Sequence, residues 1–103
     1  MTATGLVDGS FRFGSLEVTV CAGRATLADG TLAGSVATMD HCVRTAAAVW
    51  GVESALAAAT TVPAGLLGNG DLARITVGAP ADIVVLDDRL EVMAVLIAGQ
   101  PVA

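Results

Sequence analysis

The residues able to do chemistry in this chain are few, and their spacing keeps them apart. His41 is the only histidine. At 100° per residue it lies opposite the apolar stripe of the helix that carries it, so it reads as a solvent-facing residue. Cys42 is its neighbour in sequence and points about 100° away, and Cys21 is distant, so no Cys/His metal site of ordinary spacing exists. Asp40 falls at the border of the stripe and reads as a boundary carboxylate rather than a general base. Asp82 follows Gly78-Ala79-Pro80-Ala81 and precedes an apolar run, the place of a turn carboxylate accepting backbone N–H groups. Asp87 and Asp88 fall in a hairpin loop and are expected to be solvated. Ser35 follows Gly34, but no nucleophile elbow surrounds it and no base is at hand, so it is most simply a helix cap. The glycines at 5, 9, 14, 23, 30 and 34 form no phosphate-binding loop. Spacing alone assembles no catalytic constellation.

The elements that would position these residues can be read from periodicity. Met1 to Ser10 reads as a loop. Phe11 to Phe13 and Leu16 to Val20 alternate as strands around Gly14-Ser15, and Arg24 to Leu27 follows Ala22-Gly23 as a partner. Asp29-Gly30 closes this β region. A helix opens at Ser35 or Thr38 and carries Val36, Met39, Val43, Ala46 and Trp50 as its buried stripe, with Gly51 as the stop. A second helix, about Glu53 to Thr60, turns Ala55, Leu56 and Ala59 inward. Its alanines favour helix and allow close approach of a neighbour. Pro63 to Leu67 reads as a single turn ended by Gly68-Asn69-Gly70. Ile83 to Leu86 and Val92 to Ile97 are apolar strands joined by Asp87-Asp88-Arg89-Leu90. Such continuous apolar strands are usually covered on both faces, and this chain has little material to cover them. No internal repeat is apparent.

Composition sets the outer limits. A chain of 103 residues makes one domain at most, and 54% apolar with 15% charged residues excludes disorder. The net charge of −5, with five Lys+Arg and no basic run, makes a poor footprint for nucleic acid or an anionic membrane. No signal peptide or membrane span is expected. Two widely spaced cysteines fit free thiols in a cytoplasmic setting.

Three stretches together resemble one family. Gly30-Thr31-Leu32-Ala33-Gly34-Ser35 followed by Met39 is similar to the substrate-loop region of N-acetylglucosamine-6-phosphate deacetylases. Pro63-Ala64 with Gly68 resembles the turn after that family's next helix. Val77 to Asp87, containing Ala81-Asp82-Ile83-Val84-Val85-Leu86, resembles the Pro-Gly-x-x-Ala-Asp signature near the end of many amidohydrolases. The last motif is widespread, being shared with dihydroorotases, adenine deaminases and imidazolonepropionases; the first is more specific. Ala73, where glycine is common, and Pro80 depart from the pattern.

The resemblance covers the whole chain but only the last quarter or so of the family. It implies an α/β fold: the end of a (β/α)₈ amidohydrolase barrel over residues 1–70, and over residues 71–103 the C-terminal strands of its flanking β-sandwich. As an isolated chain it would be α+β. It implies an enzyme that uses a divalent metal, zinc or similar, and a terminal aspartate to hydrolyse the acetamide of an amino-sugar phosphate. The metal-binding glutamate and histidines and that aspartate match nothing here, so no catalytic residue, metal ligand or cofactor is assigned to this chain. Leu32, Ala33 and Gly34 are the residues implied to touch the N-acetyl sugar. The expectation is a piece inactive alone, paired with an N-terminal barrel fragment. The alternatives are a non-catalytic remnant that self-associates through its apolar strands, and the tail of another amidohydrolase.

Overall fold

The computed structural model describes residues 3–102. The expectations placed on Met1, Thr2 and Ala103 lie outside them. The chain forms two compact units, residues 1–38 and residues 39–103.

The first unit is an antiparallel meander of strands β1 (Gly9–Phe13), β2 (Leu16–Cys21), β3 (Arg24–Thr26) and β4 (Leu32–Gly34), paired in that order. Alternation does in β2 what the sequence predicts: Val18 and Val20 are buried, while Glu17, Thr19 and Cys21 face outward. The β1–β2 loop is two residues long, and Gly14 takes a φ of 62°, which a side chain would resist. Val18, Val20 and Ala25 form a core with Ala3, and Leu6, Phe11, Phe13, Leu27, Ala33 and Val36 pack onto it. Strand β1 begins at Gly9, inside the segment expected as loop.

Strand β4 has no counterpart in the sequence-based reading, and of the two openings that the sequence offers for the first helix, Ser35 and Thr38, the second is the one taken, directly before Met39. The Ser35 hydroxyl accepts the Ala37 N–H at 3.0 Å, closing a local turn instead of capping a helix. The carbonyl of Val36 accepts the Gly5 N–H at 3.0 Å. Backbone groups at 35–37 are thus committed to the N-terminal segment and to their own turn, and helix α1 (Met39–Trp50) begins only after them. Val36 belongs to the sheet core, not to a helical stripe.

The second unit stacks α1, α2 (Val52–Ala59) and α3 (Thr61–Leu66), followed by one 3₁₀ turn at Gly70–Ala73. Gly51 makes the sharp join between α1 and α2 with a φ of 83°. Ala55 and Ala64 are buried, as befits small residues at a close helix contact. The predicted α1 stripe needs correcting. Val43 is buried, but Met39 and Trp50 are 62% and 66% exposed. The helical period is right; what the described residues lack is a surface to cover the two ends of the stripe.

Strands β5 (Ile83–Leu86), β6 (Val92–Ile97) and β7 (Gln100–Pro101) form a separate antiparallel sheet in that order. Arg44 ties α1 to it. Its guanidinium donates to Asp40 at 2.8 Å and to the Leu90 carbonyl at 3.0 Å. Asp87 is not merely solvated. Its carboxylate accepts the N–H groups of Arg89 and Glu91, each at 2.8 Å, and so shapes the β5–β6 loop.

The two sheets share a device with no counterpart in sequence periodicity. In each, an aspartate stands immediately before the first strand, and an Ala-Gly pair forms the two-residue turn between the second and third. Asp8 accepts the Ala22 N–H at 3.0 and 3.2 Å. Asp82 accepts the Ala98 N–H at 2.8 Å. Ala22 and Ala98 have φ values of 50° and 49°, followed by glycines at 75° and 77°, the signature of a type I′ turn. Alanine is strained there, by about 1–2 kcal/mol. Replacing Ala98 by asparagine, which tolerates that conformation, is therefore expected to raise stability by roughly 1 kcal/mol in urea unfolding. An unchanged or lower midpoint would show that the strain is already relieved.

Candidate functional site

The stretch singled out for sugar contact, Leu32-Ala33-Gly34, forms the edge strand of the first sheet. Two features hold it there. Leu27 donates to the Thr31 carbonyl at 2.8 Å across the β3–β4 loop, and Asp29 accepts the Thr31 N–H at 2.9 Å. A register shift between Ala25 and Thr26 lets β4 pair with β3 despite its short length. Within the strand the residues divide by alternation. Ala33 turns inward onto the core, whereas Leu32 is 62% exposed. A methyl group built on Gly34 would meet nothing within 4 Å. The strand thus presents an apolar side chain, an open glycine and, being at the edge, unpaired backbone groups. These can offer shape and backbone hydrogen bonds to a ligand, but no acid, base or nucleophile.

The carboxyl of Asp29 has a perturbed acidity. Hydrogen bonds from Thr31, its backbone N–H first and its side chain second, hold the carboxyl below its ordinary value of 3.8. A depressed folded-state pKa adds stability above the unfolded value, and that stability disappears as pH falls through the folded value. Asp29→Asn is therefore expected to flatten the acid limb of the stability curve below about pH 4. Measuring urea midpoints from pH 2 to 7 for both proteins checks this, and parallel curves would refute it.

The other candidates are dispersed. His41 is exposed on α1, and its carbonyl accepts the Thr45 hydroxyl at 2.9 Å. Asp40 is paired with Arg44. Cys21 and Cys42 are both exposed and free. Asp82 is a turn carboxylate as read from sequence, although the turn it serves lies 16 residues away. The Ala-Asp motif is thereby explained by structure: the Ala81 carbonyl accepts the Gly99 N–H at 2.9 Å and Asp82 accepts that of Ala98. Among the described residues no three His, Cys, Asp or Glu side chains stand together as a metal site. Nor is any helix long and apolar enough to cross a membrane.

The second unit also contains an apolar cavity of about 340 Å³ between α1–α2 and the β5–β6 hairpin, lined by Met39, Val43, Leu56, Val84, Leu86 and Val95 among others. Two polar groups reach it. Asp40 is held by Arg44, and the Thr60 hydroxyl donates to the Leu56 carbonyl at 2.7 Å. Sequence reasoning missed Asp8 and Arg44, whose roles are structural. The repeated Ala-Gly dipeptides, at 22–23 and 98–99, were the available signal for the first.

No protein-family model matches the chain. Individual proteins do. N-acetylglucosamine-6-phosphate deacetylase of Danio rerio is 43% identical over 99% of this chain and 26% of its own length. N-acetylgalactosamine-6-phosphate deacetylase of Escherichia coli O157:H7 is 37% identical over 97% of this chain and 27% of its own. Among solved structures, N-acetyl-D-glucosamine-6-phosphate deacetylase of Mycobacterium smegmatis, a mutant in complex with N-acetyl-D-glucosamine-6-phosphate, is 44% identical with a TM-score of 0.83. The match covers 98% of this chain and 28% of that one. The chain therefore spans about a quarter of the length of these relatives. Its architecture, α+β with two antiparallel sheets and a few helices, agrees with a C-terminal piece of such a protein. By sequence and by fold, the chain is similar to the N-acetylglucosamine-6-phosphate deacetylases and matches about a quarter of their length.

Proposed function

We propose that this chain serves as the C-terminal portion of a metal-dependent amidohydrolase that converts N-acetylglucosamine 6-phosphate to glucosamine 6-phosphate and acetate. One observation carries the reading: nearly the whole chain is matched at 44% identity by the structure of a deacetylase in complex with that sugar phosphate. In this reading residues 1–70 complete the barrel and residues 71–103 complete its flanking sandwich, in a cytoplasmic enzyme of amino-sugar breakdown. The free, exposed Cys21 and Cys42 suit a reducing compartment.

The chain's own part in the reaction is positioning. Leu32 and the open backbone at Gly34 contact the N-acetyl sugar, and the clasped β3–β4 loop keeps that edge rigid. The metal ligands and the acid–base aspartate that the family resemblance implies are assigned in this reading to the rest of the enzyme. The exposed apolar residues of β5, β6 and α1, among them Val84, Met93, Met39 and Trp50, supply the surface on which that remainder packs.

The pure chain, with zinc added, is expected to release no acetate from N-acetylglucosamine 6-phosphate. Co-expressed with the complementary three-quarters of a relative, it is expected to form a complex whose acetate release a chelator abolishes. Chelator-sensitive turnover by the pure chain would overturn the division of labour. A complex that forms but stays inactive would leave the chain a non-catalytic binding module. A second substrate, N-acetylgalactosamine 6-phosphate, is supported by two relatives that are named as N-acetylgalactosamine-6-phosphate deacetylases. Assaying both sugar phosphates side by side decides between the two epimers.

A further inference from the structure

We draw no further inference here: the strongest candidate, the apolar cavity between helices α1–α2 and the β5–β6 hairpin, has both of its polar groups, Asp40 and Thr60, engaged within the chain, and nothing in the structure shows what covers it.

Discussion

Proline at Val85 is expected to disrupt the second sheet, whereas proline one residue earlier, at Val84, is expected to be tolerated. The difference follows from which way the backbone of β5 points. The Val95 carbonyl accepts the Val102 N–H at 2.9 Å, so Val95 directs its polar groups toward β7. Direction alternates along a strand, so Ala94 and Leu96 direct theirs toward β5. Their partners there are Val85 and Ile83. Val84 therefore turns its N–H to the open edge, the position where a strand accepts proline. Val85→Pro removes a ladder hydrogen bond and leaves the Ala94 carbonyl unmatched, at a cost of roughly 3 kcal/mol. Val84→Pro is expected to stay within about 1 kcal/mol of the parent. Urea unfolding followed by circular dichroism measures both, and equal losses at the two positions would show that the register is wrong. The pair also bears on function. If the remainder of the enzyme adds a strand to this edge, Val84→Pro folds normally but fails to form the complex.

The second large effect is expected from removing the carboxylates that hold the Ala-Gly turns. Asp82→Ala leaves the Ala98 N–H without its charged acceptor at the end of the three-stranded sheet. Hydrogen bonds to charged groups are worth about 1.5–3 kcal/mol, and the exposure of this one places the loss near the lower end. Asp8→Ala is expected to cost a similar amount in the first unit, where both carboxylate oxygens face the Ala22 N–H. The two sites lie in separate compact units, so the double variant should lose the sum of the two. A marked departure from additivity would mean that the two sites are energetically coupled. Asp82→Asn, which keeps an acceptor oxygen, should recover part of the loss. The assignment of the Ala-Asp motif to turn formation fails if Asp82→Ala leaves stability unchanged.

Both expectations depend on information that is unevenly distributed along the chain. The strands from Phe11 to Thr26 and the β5–β6 hairpin are legible from local pattern. Apolar residues alternate or run together between glycines, and the turns are two to a few residues long, so neighbours in sequence are partners in space. The alanine-rich α2 is equally local: its period selects Ala55, which is buried, and Leu56 and Ala59, which are half-buried, although Ala57 is half-buried as well. The candidate sugar-contact stretch is implied by the family resemblance alone, since Leu32-Ala33-Gly34 has no strand-like pattern of its own. It becomes β4 because β3 offers it a partner.

By itself, then, the amino-acid sequence determined the β1–β2–β3 meander, the β5–β6 hairpin and the helical segments in its local pattern. These depend on side-chain period and residue type, which act over a few residues. Only the tertiary structure decided where α1 begins, because the groups at Ser35 and Val36 are taken by bonds outside the helix, one of them from Gly5, 31 residues away in sequence. It alone joined Asp8 to Ala22 and Asp82 to Ala98, contacts that rest on strand pairing rather than on spacing. It alone showed that Met39 and Trp50 lie exposed, since burial depends on what an apolar face meets and not on its period.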